Sequence, residues 1–267
     1  KMMIEVCMLA SGSSGNAVYV GTEKTKILID AGLSGKRIAA ALASIGVNAA
    51  ELDALLLSHD HIDHICGAGI MARRYKLAVF ATQPTWQAAK KRMGTIAAAQ
   101  CCYLPNCGSI SFADLEVETI PLPHDAADPV GFIFRSPQHT VALVTDLGHI
   151  TPYIRQRVQD MDCLIVEANH DEEMLLNGQY PWPLKKRILG DKGHLSNKTV
   201  AEFLSQVVGP KTQQVVLAHL SEHNNTPQLA FSAVCSSLKK SGHLRPEKKL
   251  KVSVAARHTP SCYLRLA

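Results

Sequence analysis

The chain has 267 residues, 46% hydrophobic and 19% charged, ordinary proportions for a folded globular protein that exclude the disordered classes. Its strongest apolar runs, such as 52–57 (LDALLL) and 141–145 (VALVT), fall far short of the roughly 20 residues a membrane helix needs. A formal net charge of +5 is compatible with an anionic partner such as nucleic acid, and equally with lysines that only confer solubility.

Residues 3–9, 17–20 and 26–30 are short β-branched or alternating apolar runs separated by Gly, Ser and Asn, which predicts strands joined by tight turns. Helical spacing of Ile38, Ala39, Leu42 and Ile45 predicts a helix over 35–46 ended by Gly46, and 52–57 returns to a buried strand. Beyond it the pattern predicts helices over 65–75, 84–98, 151–159, 197–208 and 226–241. Strands are predicted over 77–81, 115–120, 130–134, 140–145, 162–166, 214–218, 251–255 and 262–266. Strands and helices mix in both halves, so the expected class is α/β, with two mixed sheets face to face and helices outside, an αββα four-layer sandwich. No internal repeat and no Pro/Gly/Ser-rich linker interrupts the chain, which predicts a single domain over 1–267.

No charged-then-apolar signal opens the chain, so a cytoplasmic location is expected. The eight cysteines (Cys7, Cys66, Cys101, Cys102, Cys107, Cys163, Cys235 and Cys262) form no C-x-x-C pair and mostly sit in apolar stretches, which predicts buried thiols. Basic clusters occur at Lys90-Lys91-Arg92, Lys185-Lys186-Arg187, Lys239-Lys240 and Lys248–Lys251. Trp86 and Trp182 are either packed or available to stack on a base. His139, His149, His243 and His258 follow no ligand pattern and read as surface or core residues.

The informative stretch is Ser58-His59-Asp60-His61-Ile62-Asp63-His64, which follows the strand LDALLL and precedes a helix beginning near Gly67. Packing does not explain three imidazoles and two carboxylates within six residues at a strand's end. In a sharply turning loop, H-x-H-x-D-H sends two histidines to one metal and the Asp-His pair to a neighbouring one. Nitrogen and oxygen donors in that ratio suit zinc, manganese or iron.

This stretch resembles the signature of the metallo-β-lactamase superfamily. The resemblance implies an αββα fold and further ligands in fixed order, a histidine, an aspartate and a final histidine, each at a strand's end. His124 follows LEVETI, Asp146 ends ALVTD and His219 ends VVLAH, and each matches one of these. Asp30, in ILIDAG, matches the superfamily's early structural aspartate, which supports the metal loop without being a ligand. The segments LASGSSGN (9–16), LIDAG (28–32), EANHD (167–171), GHLSN (193–197) and AHLSEHNN (218–225) are similar to the YycJ-type, WalJ-like branch. That similarity runs from about residue 4 to the C-terminus. It implies a cytoplasmic phosphodiesterase-like enzyme with 5′-to-3′ exonuclease activity on double-stranded DNA. The cysteine-rich stretch 101–107 departs from the branch pattern.

The resemblance further implies two divalent ions per chain (Zn or Mn, with Fe also accommodated). His59, His61 and His124 would hold one, Asp63, His64 and His219 the other, and Asp146 would bridge them. A hydroxide between the ions would be the nucleophile. The leaving alkoxide needs a proton, and His194, in DKGHLS before the helix at 197, is the candidate general acid. It resembles the histidine that begins the equivalent helix in tRNA 3′-processing ribonuclease Z; helix capping or a phosphate contact is the alternative role. Ser196 or Asn197 is the candidate cap of that helix. Asp63 is counted with the catalytic residues.

Candidate substrate contacts are Ser11, Ser13, Ser14 and Asn16 in SGSSGN, whose composition equally suits a hairpin turn, together with Asn169 and Asn224, which equally could pin neighbouring loops. His170 and His223 are left outside the ligand set. The expected partner is nucleic acid, DNA first, and no membrane. Two rival functions remain. A thioester or lactone hydrolase would use the same metal pair on a carbonyl but needs an enclosed apolar pocket. A non-catalytic metal-stabilised module would have lost ligands, and none is missing here.

Overall fold

The computed structural model describes residues 3–244 and 249–266; Lys248, first residue of the fourth basic cluster, lies outside the described residues. The chain forms two compact units. One comprises residues 1–121, 126–139 and 256–267, the other residues 122–125 and 140–255.

The first unit contains β1 (Ile4–Ala10), β2 (Ala17–Gly21), β3 (Lys26–Ile29), α1 (Gly35–Ser44), β4 (Ala54–Leu56), α2 (Ile62–Ile65), α3 (Ala68–Tyr75), β5 (Ala78–Ala81), α4 (Gln83–Met93), β6 (Cys101–Tyr103), β7 (Gly108–Phe112), β8 (Leu115–Pro121) and β9 (Val130–Arg135). The second contains β10 (Thr140–Val144), α5 (Pro152–Arg157), β11 (Cys163–Glu167), α6 (Glu172–Asn177), α7 (Trp182–Leu189), α8 (Asn197–Val207), β12 (Gln214–Ala218), α9 (Pro227–Lys240) and β13 (Lys251–Val254). The last strand, β14 (Ser261–Leu266), belongs to the first unit.

In the first unit seven strands form a mixed sheet in the order β14-β1-β2-β3-β4-β5-β6. The β14-to-β3 side is antiparallel and β3 to β6 are parallel. The apolar runs IEVCMLA, AVYVG and KILI are almost wholly buried, as strands covered on both faces must be. Ile38 and Leu42 of α1, one turn apart, are fully buried in a core with Tyr19, Leu28 and Leu55. Truncating Leu42 to alanine there costs about 2–5 kcal/mol. Strands β7, β8 and β9 pair antiparallel.

In the second unit β10, β11, β12 and β13 are consecutive parallel neighbours. The first three are near-continuous apolar runs, as a parallel sheet requires. Their carboxyl ends therefore lie along one edge. Helices α8 and α9 bury Val200, Leu204, Val234 and Leu238, and Ser237 Oγ donates to Ala201 O at 3.0 Å. Ser196 is the cap of α8, its hydroxyl accepting from Thr199 N.

Several expectations needed correction. The helix over 65–75 is broken into α2 and α3 at Gly67, where a Cβ would sit 2.1 Å from Leu33 O. The helix over 84–98 stops at Met93, because Gly94 turns the chain at φ +71°. Strands β6 and β7 and helices α6 and α7 were not predicted at all. Buried thiols hold only for Cys7 and Cys163; Cys66 and Cys107 are exposed and the other four intermediate. Cys66 follows the last residue of α2 as its C-cap, Cys101 and Cys102 lie on a three-residue strand that buries little, and Cys107 directly precedes the half-buried strand β7. No disulfide links any of the eight.

Candidate metal centre

In the first unit the H-x-H-x-D-H loop is built on adjacent parallel strands. Beyond β4, Leu57 N still donates to Phe80 O at 2.8 Å, and the chain then leaves the sheet so that His61 becomes the N-cap of α2. Asp30 follows β3 in the left-handed region at φ +57°, a sparsely populated conformation for a non-glycine residue. Its carboxylate organises the loop. Ser58 N donates to Oδ1 at 2.8 Å, Ser58 Oγ donates to Oδ2 at 2.7 Å, and His64 Nδ1–H donates to Oδ2 at 2.7 Å.

Ser58 has given its one proton to Asp30, so its oxygen can only accept from His59 Nδ1–H, 2.9 Å away. Both imidazoles are thereby oriented through Nδ1. The His59 ring centroid is 4.7 Å from that of His61 and 4.0 Å from that of His64. Asn16 accepts from Gly12 N through Oδ1 at 2.8 Å, and its amide donates to His64 Nε2 at 3.0 Å and Asp63 Oδ2 at 3.3 Å. Within the SGSSGN loop Ser11 and Asn16 are buried, while Ser13 and Ser14 are exposed.

In the second unit the functional side chains stand at the carboxyl ends of three adjacent parallel strands, where α/β folds place their sites. Asp146 lies two residues beyond β10 at φ +65° and His219 directly follows β12 at φ +53°. Between them Glu167 ends β11, opposite Ala218 in register. His219 Nε2 is 3.4 Å from Asp146 Oδ1, and His219 Nδ1–H donates to Glu167 Oε2 at 2.9 Å. His194 Nδ1–H donates to the same Oε2 at 2.7 Å, and Leu195 N donates to Oε1 at 2.8 Å. His124 Nδ1–H donates to Gly193 O at 3.1 Å, and its Nε2 stands 4.0 Å from Asp146 Oδ1. One ligand atom from each of Asp146, Glu167, His194 and His219 falls within 4.8 Å of the others.

The electrostatics follow from burial and pairing. Complete burial by itself would raise the Glu167 carboxyl, but the His194 and His219 rings and their hydrogen bonds outweigh it and hold the group well below the usual carboxylate range. Burial pushes His124 below the usual imidazole range, with Asp146 acting in the opposite sense. It pushes His170 down to about 4.

The donor set fits divalent ions. His59, His64, His124 and His219 each commit Nδ1 to a hydroxyl, carboxylate or carbonyl oxygen, the pattern that orients a metal-ligating imidazole and raises its basicity. Asp30 holds Ser58 and His64 by hydrogen bonds, the supporting contacts expected of it.

A family model described as the beta-lactamase superfamily domain matches residues 25–220. The chain belongs to the beta-lactamase superfamily. Within that superfamily it is 39% identical over 242 residues to a Bacillus anthracis protein named exodeoxyribonuclease YycJ, covering 90% of this chain and 91% of that one. It is 40% identical over 233 residues to exodeoxyribonuclease WalJ of Streptococcus pneumoniae, covering 86% and 87%. Among solved structures it resembles the metallo-β-lactamase fold protein YhfI of Bacillus subtilis with a TM-score of 0.72 at 14% identity, over 98% of this chain and 99% of that chain. Zn(2+)-bound PqqB of Methylobacterium extorquens gives 0.72 at 14% identity over the same shares, and human tRNase Z, short form, 0.63 at 15% over 96% and 98%. The fold is that of metallo-β-lactamase superfamily members, two mixed sheets of seven strands each with helices.

Sequence reasoning about this superfamily member missed Glu167, a buried carboxylate ending an apolar strand. The same signal, an apolar run stopping at an acid, singled out Asp146. Asn169 and Asn224 are both buried: Asn169 Nδ2 donates to His219 O at 3.1 Å, and Asn224 N donates to Ser221 Oγ at 3.2 Å. His170 is buried and bridges to Ser196, and His223 packs edge-on to Tyr180. His139 is buried, His243 half-buried, and His149 and His258 exposed. Trp86 is partly buried, with Nε1 donating to Cys102 O at 2.8 Å, whereas Trp182 is 55% exposed beside Lys186.

Proposed function

We propose that this protein is a metal-dependent exodeoxyribonuclease acting 5′ to 3′ on duplex DNA. The observation that carries the reading is 39–40% identity, over nearly the whole of this chain and its relatives, to proteins named exodeoxyribonucleases. His59, His61, Asp63, His64, His124, Asp146 and His219 are the proposed ligands of two divalent ions, zinc or manganese. The reading of 1–267 as one functional domain belongs to the same proposal. So does residence in the cytoplasm, because the enzyme must share a compartment with its DNA. Among the described residues no helix is long and apolar enough to cross a membrane.

Divalent ions bound there would lower the pKa of water towards neutrality and hold the phosphoryl oxygens. The remaining chemistry falls to this chain's own groups. Glu167 fixes the His194 ring by accepting from Nδ1–H at 2.7 Å. His194 is the group that would pass a proton to the departing sugar oxygen. Asn16, donating to Asp63 and His64, orients the second carboxylate–histidine pair. Ser13 and Ser14, exposed at the tip of the β1–β2 turn, are the substrate contacts within SGSSGN that solvent reaches.

The test is digestion of end-labelled single- and double-stranded DNA and RNA by metal-stripped protein with Mn²⁺ or Zn²⁺ restored, beside an Asp146→Asn control. Metal-dependent loss of label from the 5′ end of duplex DNA, abolished in the control, is the expected result. Hydrolysis confined to a thioester, a lactone or a small phosphodiester would overturn the proposal.

A further inference from the structure

Helix α4 carries one of the basic clusters, and beside its last turns the first unit opens a cavity of about 870 Å³. Trp86, Lys90, Lys91, Thr95, Cys101 and Tyr103 are among the lining residues, and none of the lining residues is acidic. The Tyr103 ring, 64% exposed, is presented at the end of β6, and both lysines are exposed. An open aromatic ring beside paired cations is the chemistry that a flat, anionic partner such as a nucleotide recognises.

The walls are held in place. Trp86 Nε1 donates to Cys102 O at 2.8 Å, tying α4 to β6. Gly94 reverses the chain after α4, and Arg73 Nη1 pins the turn by donating to Met93 O at 2.9 Å and Thr95 O at 3.1 Å. Gln100 Nε2 donates to Ala72 O and Leu77 O at 2.8 and 2.9 Å, fixing the chain just before β6. The same helix reaches the histidine loop, because Arg92 Nη1 donates to Asp60 O, between His59 and His61, at 3.4 Å.

We infer that this cavity binds single-stranded nucleic acid: an unpaired base stacks on Tyr103 against the Trp86 wall while Lys90 and Lys91 take the flanking phosphates. The inference rests on the proposed nuclease reading and adds to it a second subsite, on the helix that touches the metal loop. Stacking on a protein ring requires a base outside the duplex, and aromatic rings interleaved with lysines are how single strands are gripped without sequence preference. A paired duplex, whose bases are stacked on each other, offers Tyr103 nothing to hold. Duplex ends that fray or carry an overhang therefore engage this subsite and blunt, stable ends engage it less.

The test measures binding of a fluorescein-labelled, nuclease-resistant phosphorothioate oligo-dT 12-mer, and of a blunt 12-base-pair duplex, to the metal-loaded enzyme. Tyr103→Ala is expected to weaken the single strand about tenfold, within the range measured for base–aromatic stacking, and to leave the duplex nearly unchanged, while Tyr103→Phe restores binding. The double variant Lys90→Ala/Lys91→Ala is expected to lower the slope of log Kd against log salt by about 1.4, the counterion release of two single-strand phosphates. Hydrolysis of bis(4-nitrophenyl) phosphate should be the same in all variants, which shows that they are folded and metal-loaded.

Unchanged single-strand affinity in Tyr103→Ala and in the double lysine variant, or equal weakening of strand and duplex by Tyr103→Ala, overturns the subsite. Failure of the nuclease reading looks different: the wild type would cleave the small ester and no nucleic acid, while the binding comparison would still decide the cavity's role.

Discussion

Oδ2 of Asp30 lies 2.7 Å from Nδ1 of His64 and 2.7 Å from Oγ of Ser58, so one carboxylate oxygen sets the orientation of a histidine 34 residues away and of the serine beside another. Asp30→Asn keeps the size and tolerates the left-handed backbone but puts an NH2 in place of one carboxylate oxygen, so either both Oδ2 donors or Ser58 N–H at Oδ1 lose their acceptor. Metal affinity should fall roughly 10- to 100-fold, the usual cost of removing such a supporting partner. Titration of apo-protein with Zn²⁺ in a chelator-buffered series measures it; wild-type affinity would show that the loop holds its shape without the aspartate.

His61→Ala and His194→Ala separate holding a metal from moving a proton. His61→Ala should lose metal and activity together, whereas His194→Ala should retain its metal and lose rate by about 10²- to 10⁴-fold, the span of general acid catalysis. Metal analysis after gel filtration, paired with kcat, reads both. Two ions per chain in His61→Ala would remove His61 from the ligand set, and metal loss in His194→Ala would make His194 a ligand with Asp146, Glu167 and His219.

Gly32→Ala should cripple the loop without touching any ionisable group. A Cβ there would lie 1.6 Å from Asp63 O and 2.6 Å from Asn16 N, both backbone atoms that cannot swing aside. The expected destabilisation is at or above the top of the ~1–3 kcal/mol range for forced overpacking, with a fall in Tm of several degrees by circular dichroism. A Tm within a degree of wild type would mean that the loop relaxes around the methyl.

Alkylation should sort the cysteines. Burial pushes the Cys7 thiol up to about 11, so at pH 8 it stays protonated and enclosed, while Cys66 and Cys107 are exposed. Brief iodoacetamide treatment followed by peptide mass spectrometry should label Cys66 and Cys107 and spare Cys7 and Cys163. Early modification of Cys7 would place β1 and β14 in a looser arrangement than the one described.

The candidate ligands were legible because each is a polar residue placed where an apolar strand ends, and that juxtaposition is costly enough to stand out in one dimension. Glu167 obeys the same rule and was passed over because no motif asked for a second acid; its place between His194 and His219 exists only once β11 lies beside β12. The sandwich class followed from mixed apolar periods. Strand β7 did not, since GSISF alternates small polar residues with Ile110 and Phe112 at half-buried positions. Helix α7 opens with Pro181 as its N-cap and Pro183 in its first turn, and both read as breakers although proline suits a helix's first turn. The cysteines misled because Cys101 and Cys102 look apolar in sequence, while a three-residue strand covers too little surface to bury them.

Asp30, Asp146 and His219 all occupy positive φ, which makes side-chain identity and backbone shape inseparable at these positions. Aspartate and histidine belong to the short list of residues that accept this conformation, together with asparagine and glycine. Saturation mutagenesis at the three codons should therefore yield stable protein with asparagine or glycine and poor yield with valine or isoleucine, whatever happens to catalysis. Alanine scanning would confuse a bent main chain with a missing ligand. Asparagine is the replacement that isolates chemistry, and a designer who wished to move this chemistry to another scaffold would have to carry over the turn as well as the side chain.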